Sequence, residues 1–221
     1  MAGRRSDDAS PRPEGAPRPF GWFPDWRDRV AVVVGSGPSA KGQDLEAAKG
    51  QAGVLTVNES WRLAPWADAL YACDDAWWRA RRGVPDFPGL KICGDERTPK
   101  AFPEIRRVRP NANVDAILMR EAGRIGYGGN SGFQAVNLAL QFGSRRIVLV
   151  GFDLHLADGV HWHGRHAANL NNPSAQSLAR WAVTLDRQAP AIAALGVEVL
   201  NTSPQSALTA YRKVPLEEAL A

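Results

Sequence analysis

Cysteine is scarce in this 221-residue chain. Only Cys73 and Cys93 are present, with no C-x-x-C spacing, which argues against a disulfide framework or a redox pair and predicts two reduced core thiols. Long apolar runs are also missing. Nothing ahead of Val30 resembles the core of a signal peptide and no run approaches membrane length, so a cytoplasmic protein without a membrane span is expected. The G-x-x-x-x-G-K-[ST] phosphate loop is absent as well, which argues against a Walker-type nucleotidase. Lysine is rare, and arginine supplies most of the positive charge behind a net +4. Two local clusters, Arg79–Arg81–Arg82 and Arg106–Arg107–Arg109, are first of all solvated faces, with nucleic-acid contact a weaker alternative.

Residues 1–25 are rich in Pro, Arg, Gly, Asp and Ser without a hydrophobic period, which predicts a disordered arm ahead of one α/β domain over 26–221. Phe20, Trp22, Phe23 and Trp26 are placed to pin the entry to that domain. Strands are expected at Val30–Val34, Val54–Val57, Ala69–Cys73, Leu90–Cys93, Ile147–Val150 and Val197–Leu200, with Val114–Met119 as a further candidate. Helices are expected at Gln43–Lys49, Asp75–Arg81, Ser131–Phe142 and Ser174–Leu195. Several strands are apolar throughout, as strands buried on both faces must be, and strand alternates with helix. The expected fold is α/β, a Rossmann-like three-layer architecture with a mostly parallel sheet.

Most predicted strands end in small or polar residues, as at Gly35-Ser36-Gly37, Asn58-Glu59, Asp74-Asp75 and Gly151-Phe152-Asp153. In open α/β sheets the ligand crevice lies outside the carboxyl ends of the strands, so these residues should share one rim. The turn Gly35-Ser36-Gly37-Pro38-Ser39 should let backbone N–H groups approach a phosphate. It also fits G-x-G-x-x-A, but the second strand ends at Asn58, where a dinucleotide site needs an acidic residue for the ribose. A second anion site is expected where Gly128-Gly129-Asn130-Ser131-Gly132 opens a helix, with Asn130 or Ser131 as its cap.

All four histidines fall between residues 155 and 166. In the long polar segment Leu156–Asn172, His163 or His161 could serve as a general base toward an acceptor hydroxyl. Neutral imidazoles near Asp153 and Asp158 could instead hold a metal, but no known zinc spacing appears and no metal residues are assigned. A folded loop without chemistry is the third reading.

The G-x-G-P-S turn, Asn58, the N-S-G helix start and the G-x-D strand end together resemble two related families over roughly residues 30–205. One is the bacterial lipooligosaccharide sialyltransferases; the other is the archaeal-type hydroxymethyl-dihydropterin pyrophosphokinases. His161-Trp162-His163-Gly164 and Asn201-Thr202-Ser203-Pro204 look like phage- or prophage-encoded members of that group. The resemblance implies a nucleotide-dependent transferase, in the first place a CMP-sugar-like glycosyltransferase, with an ATP-dependent pyrophosphokinase or a non-catalytic nucleotide-binding module as alternatives. It implies nucleotide binding by Gly35, Ser36, Gly37, Pro38, Ser39, Asn58, Asn130, Ser131 and Gly132, with Asp153 under the base or ribose or helping to hold a metal, and counted with His163 and His161 among the catalytic candidates. Mg²⁺ is expected only if the donor is ATP, and the acceptor class (glycan, small molecule or modified DNA) stays open. Ser36 stands where the sialyltransferases carry Asn, and His155 follows the G-x-D strand where they carry tyrosines.

Overall fold

The computed structural model describes residues 20–166 and 170–221. Residues 1–19 of the expected arm, and 167–169 of the segment Leu156–Asn172, lie outside them. Eight strands form one parallel sheet: β1 (Val30–Val34), β2 (Ala52–Val57), β3 (Ala69–Ala72), β4 (Leu90–Cys93), β5 (Arg106–Arg107), β8 (Arg146–Val150), β9 (Glu198–Asn201) and β10 (Arg212–Lys213). Their order is β10-β9-β8-β1-β2-β3-β4-β5. A separate parallel pair joins β6 (Arg109–Asn111) to β7 (Arg124–Gly126). The helices are α1 (Asp75–Ala80), α2 (Thr98–Ala101), α3 (Ser131–Phe142), α4 (Ala175–Asp186), α5 (Ala189–Ala194) and α6 (Leu216–Leu220). This is the Rossmann-like three-layer fold the sequence predicts.

Burial on both faces explains the uninterrupted apolar strands. Ala31 and Val33 of β1 join Ile147 and Leu149 of β8 in the cluster that carries α3. Val32, Val34, Val148 and Val150 alternate into the opposite cluster, with Trp77 and Trp78 of α1. A parallel strand covered on both sides has no polar face to show. The entry segment packs on the first cluster: Trp26 is fully buried and meets Phe142 edge-on at 4.9 Å, and Phe23 does so at 5.0 Å.

The expected elements hold with three corrections. Gln43–Lys49 is not a helix; two 3-10 turns, Pro38–Gly42 and Leu45–Ala48, link β1 to β2 instead. Ser174–Leu195 is broken in two, because Pro190 lacks the N–H that a continuous helix would use and sits in the first turn of α5. Val114–Met119 is not a strand. Side-chain amides replace its ladder: Leu118 N donates to Asn137 Oδ1 at 2.9 Å, and Leu118 O accepts from Asn137 Nδ2 and Gln141 Nε2 at 2.9 Å. Both amides are fully buried on α3.

β1 is the branch point of the sheet. The chain winds outward from it through β2 to β5 on one side and through β8 to β10 on the other. The crevice between the β1 and β8 ends is therefore the topological switch point, where α/β sheets take ligands.

Candidate functional site

A cleft of about 540 Å³ opens at that switch point. It is lined by Gly35, Ser36, Gly37 and Pro38 after β1, by Asn58 after β2, and by Asp153 after β8. Asn130, Ser131 and Gly132 line it at the start of α3, and His161 and His166 line it from the histidine segment. Of the residues predicted from sequence, only Ser39 and His163 do not border the cleft.

The glycine turn differs from its sequence reading. Gly35 N donates to Val150 O at 2.7 Å, Gly37 N to Gly151 O at 2.9 Å, and Ser39 N to Asp153 Oδ1 at 3.3 Å. Alternate N–H groups of the turn are thus spent on β8 and its exit, not aimed together at a phosphate. The glycines answer the same packing. A Cβ at Gly35 would stand 2.8 Å from the Gly151 carbonyl oxygen, and one at Gly37 would overlap Asp153 Oδ2 and stand 2.6 Å from the same carbonyl. Gly151, at φ +69°, would in turn place a Cβ 2.8 Å from Gly35 O. The two strand ends interlock, and only glycine fits between them.

Asp153 belongs to that lock. Its carboxylate is buried, and Ser39 Oγ lies 2.9 Å from Asp153 Oδ2 and 2.8 Å from Ser203 Oγ. Ser203 Oγ accepts from Phe152 N at 3.0 Å. Ser39 therefore ties β1, β8 and the end of β9 together behind the cleft wall.

Free anion donors lie at α3. Asn130 caps the helix, its Oδ1 accepting from Phe133 N at 2.9 Å. Ser131 and Gly132 come first in the helix, where N–H groups have no intrahelical acceptor, and both face the cleft. Tyr71 of β3 holds this turn by donating to Gln134 Oε1 at 2.8 Å, and Gln134 Nε2 donates to Tyr127 O at 2.9 Å. Asn58 and Leu154, at φ 51° and 55°, carry left-handed backbone on opposite walls. Such strain persists in side-chain-bearing residues only where the surroundings impose it.

The histidines form a packed group at the cleft edge. Ring centres lie 5.1 Å apart for His161 and His163, 4.8 Å for His161 and His166, and 4.9 Å for His163 and His166. Burial, then the neighbouring imidazoles, lower His161 to a pKa of about 4. Burial, then His166, lower His163 to about 4. The segment is anchored by Trp162, which donates from its backbone to Ser36 O at 3.0 Å and from Nε1 to Ser60 Oγ at 3.2 Å. Asn172 clasps the backbone of His166, accepting from its N at 2.8 Å and donating to its O at 3.3 Å. His161 is thus the cleft-facing member of the predicted base pair, with His163 behind it. Among the described residues, no group of three or more His, Cys, Asp or Glu side chains is placed to hold a metal ion.

Several lining residues were not selected from sequence. Asp74 borders the cleft after β3, and desolvation, then the Asp95 charge, raise its carboxyl above the ordinary range. It already stood among the strand-end residues, which was the signal available. Tyr127 and Trp181 also line the cleft. Trp181 comes from α4, and nothing local marks which side of that helix closes the site. The arginine clusters are largely paired: Arg79 with Asp75, Arg81 with Glu59, Arg107 with Glu96 and Arg109 with Glu121. Burial raises Cys73 to about 11 and Cys93 to about 12, and both are free thiols. No helix among the described residues is long and apolar enough to cross a membrane.

No protein-family model and no curated protein matches this chain. Solved structures do. The sialyltransferase CstII from Campylobacter jejuni with cytidine-5'-monophosphate is similar at a TM-score of 0.52 and 12% identity, over 85% of each chain. The sialyltransferase CST-II with a trisaccharide acceptor and CMP is similar at 0.52 and 13%, over 85% of this chain and 86% of that one. CstII from Campylobacter jejuni with the substrate analogue CMP-3FNeuAc is similar at 0.51 and 13%, with the same coverage. At this identity the likeness is one of fold.

Proposed function

We propose that this chain is a nucleotide-dependent glycosyltransferase whose donor is a nucleotide sugar of the CMP-sugar class. The observation that carries the reading is the cleft at the switch point, with Ser131 and Gly132, the first residues of α3, lining it. They supply positive potential for the phosphate that departs when the sugar is transferred. Supporting it is the likeness in fold to structures holding CMP, a CMP-sugar analogue and a trisaccharide acceptor. The acceptor hydroxyl enters from the histidine side, where His161 faces the cleft, and that edge takes its proton as it attacks. Asn58 contacts the nucleotide or the transferred sugar from the opposite wall. Asp153 positions the β1 turn through Ser39 and does not itself move protons.

The test is thermal unfolding with CMP, CDP, UDP, ADP, ATP or NAD, each with chelator or with Mg²⁺. CMP in chelator is expected to stabilise the fold, by about 2.7 kcal/mol at one hundred times its dissociation constant. Stabilisation only by ATP with Mg²⁺ moves the reading to pyrophosphoryl transfer. No shift with any pyrimidine nucleotide overturns it.

A further inference from the structure

Among the described residues two carboxylates border the cleft, Asp74 and Asp153, and no Lys or Arg does. The fold uses only one of the two. Asp153 is taken up by Ser39 behind the wall. Asp74 follows β3 and directly precedes α1, where an aspartate ordinarily caps the helix with its side chain. Here α1 starts without a side-chain cap. Nor does the Asp74 carboxylate take any other hydrogen bond or ion pair among the described residues.

An unpaired anion in that position calls for donors. Desolvation, then the Asp95 charge, already raise the Asp74 carboxyl, and no lining cation offsets them. Water can serve the open cleft. A ligand that displaces the water must bring donors of its own or leave the charge unpaired, which is costly.

Position identifies the donors. The residue before Asp74 touches the first residue of α3: Cys73 N donates to Ser131 Oγ at 3.4 Å. On the transferase reading, α3 takes the nucleotide phosphate, so Asp74 stands beside a second anion with which it cannot pair. In a nucleotide the ribose hydroxyls lie between phosphate and base, closer to the phosphorus than any amino group of the base. A strand-end carboxylate holds the ribose 2′-hydroxyl in dinucleotide folds, and its second oxygen is free to accept from the 3′-hydroxyl. In this chain β2 ends at Asn58, and the neighbouring strand β3 carries the acid instead.

Resting on the transferase reading, we propose that Asp74 is the specificity-determining residue for the donor's ribose, accepting hydrogen bonds from its 2′- and 3′-hydroxyls. The cleft then prefers ribonucleotides to deoxyribonucleotides. A deoxyribose brings one donor fewer to a charge that no lining cation neutralises.

The test is calorimetric titration of the full chain with CMP and with 2′-deoxy-CMP, both in chelator. CMP is expected to bind about 10- to 100-fold more tightly, the range for a hydrogen bond to a charged group. Asp74→Ala should bring the two nucleotides within about threefold of each other, chiefly by weakening CMP. Asp74→Asn, which keeps the shape and one acceptor oxygen, should fall between. If Asp74 merely repelled the phosphate, both variants would tighten both nucleotides alike and leave the ratio unchanged. Urea unfolding that matches the parent separates lost recognition from lost fold. Equal affinity of the native chain for the two nucleotides overturns the assignment without any variant, as does a preference that survives Asp74→Ala. Binding without preference removes only the role of Asp74; failure of both nucleotides to bind removes the transferase reading and this role with it.

Discussion

Replacing Gly37 by alanine separates two reasons for a glycine-rich turn. If the residue is small to admit a phosphate, the variant folds normally and loses ligand. If it is small because the β8 exit occupies its Cβ position, the fold itself suffers. The new methyl would overlap Asp153 Oδ2 and stand 2.6 Å from the Gly151 carbonyl oxygen. Asp153 could rotate away only by leaving Ser39, and the carbonyl is backbone that already accepts from Gly37 N at 2.9 Å. Relief therefore requires parting the β1 and β8 ends, at a cost of about 3 kcal/mol, toward the upper end for overpacking. With a urea m-value of about 2 kcal/mol/M, the unfolding midpoint should fall by about 1.5 M. Gly42→Ala is the matched control, since a Cβ there meets nothing within 4 Å and should change stability by less than about 0.5 kcal/mol. Equilibrium urea unfolding of parent and both variants, without ligand, is the assay. Parental stability in Gly37→Ala would refute the packing explanation, and selective loss of nucleotide binding would restore the phosphate one.

Two further outcomes follow from neighbouring contacts. Asn130→Ala removes the acceptor for Phe133 N and should cost about 0.5–2 kcal/mol in urea unfolding. The frayed first turn of α3 should also weaken nucleotide binding in a titration. Cys73 and Cys93, raised to about 11 and 12, stay protonated at pH 8, so native protein should react slowly with a thiol reagent and urea-unfolded protein at once. Rapid reaction of either thiol in the native state contradicts the buried environment described here.

How much of this was legible in the chain varies from element to element. Val30–Val34 and Ile147–Val150 could be read because a strand covered on both faces must be apolar throughout. Ser131–Phe142 could be read because Asn130 is a local cap with a periodic run behind it. Both signals lie within a few residues of their cause. β5, β6, β7 and β10, two or three residues each, are too short for a period to register. Val114–Met119 reads as a strand because its composition is apolar, and the amides that replace its ladder come from Asn137 and Gln141 on α3.

The candidate site divides the same way. Polar and small residues after the strands marked the rim from sequence alone, because a parallel sheet brings its carboxyl ends to one edge. Which of those residues face a ligand was a tertiary decision. Gly35 and Gly37 turn toward Gly151, Ser39 is drawn behind the wall by Asp153, and His161 rather than His163 reaches the cleft. Residue type determines the chemistry available at each position. Contacts between residues more than a hundred apart in the chain, such as Ser39 with Asp153, determine where that chemistry points.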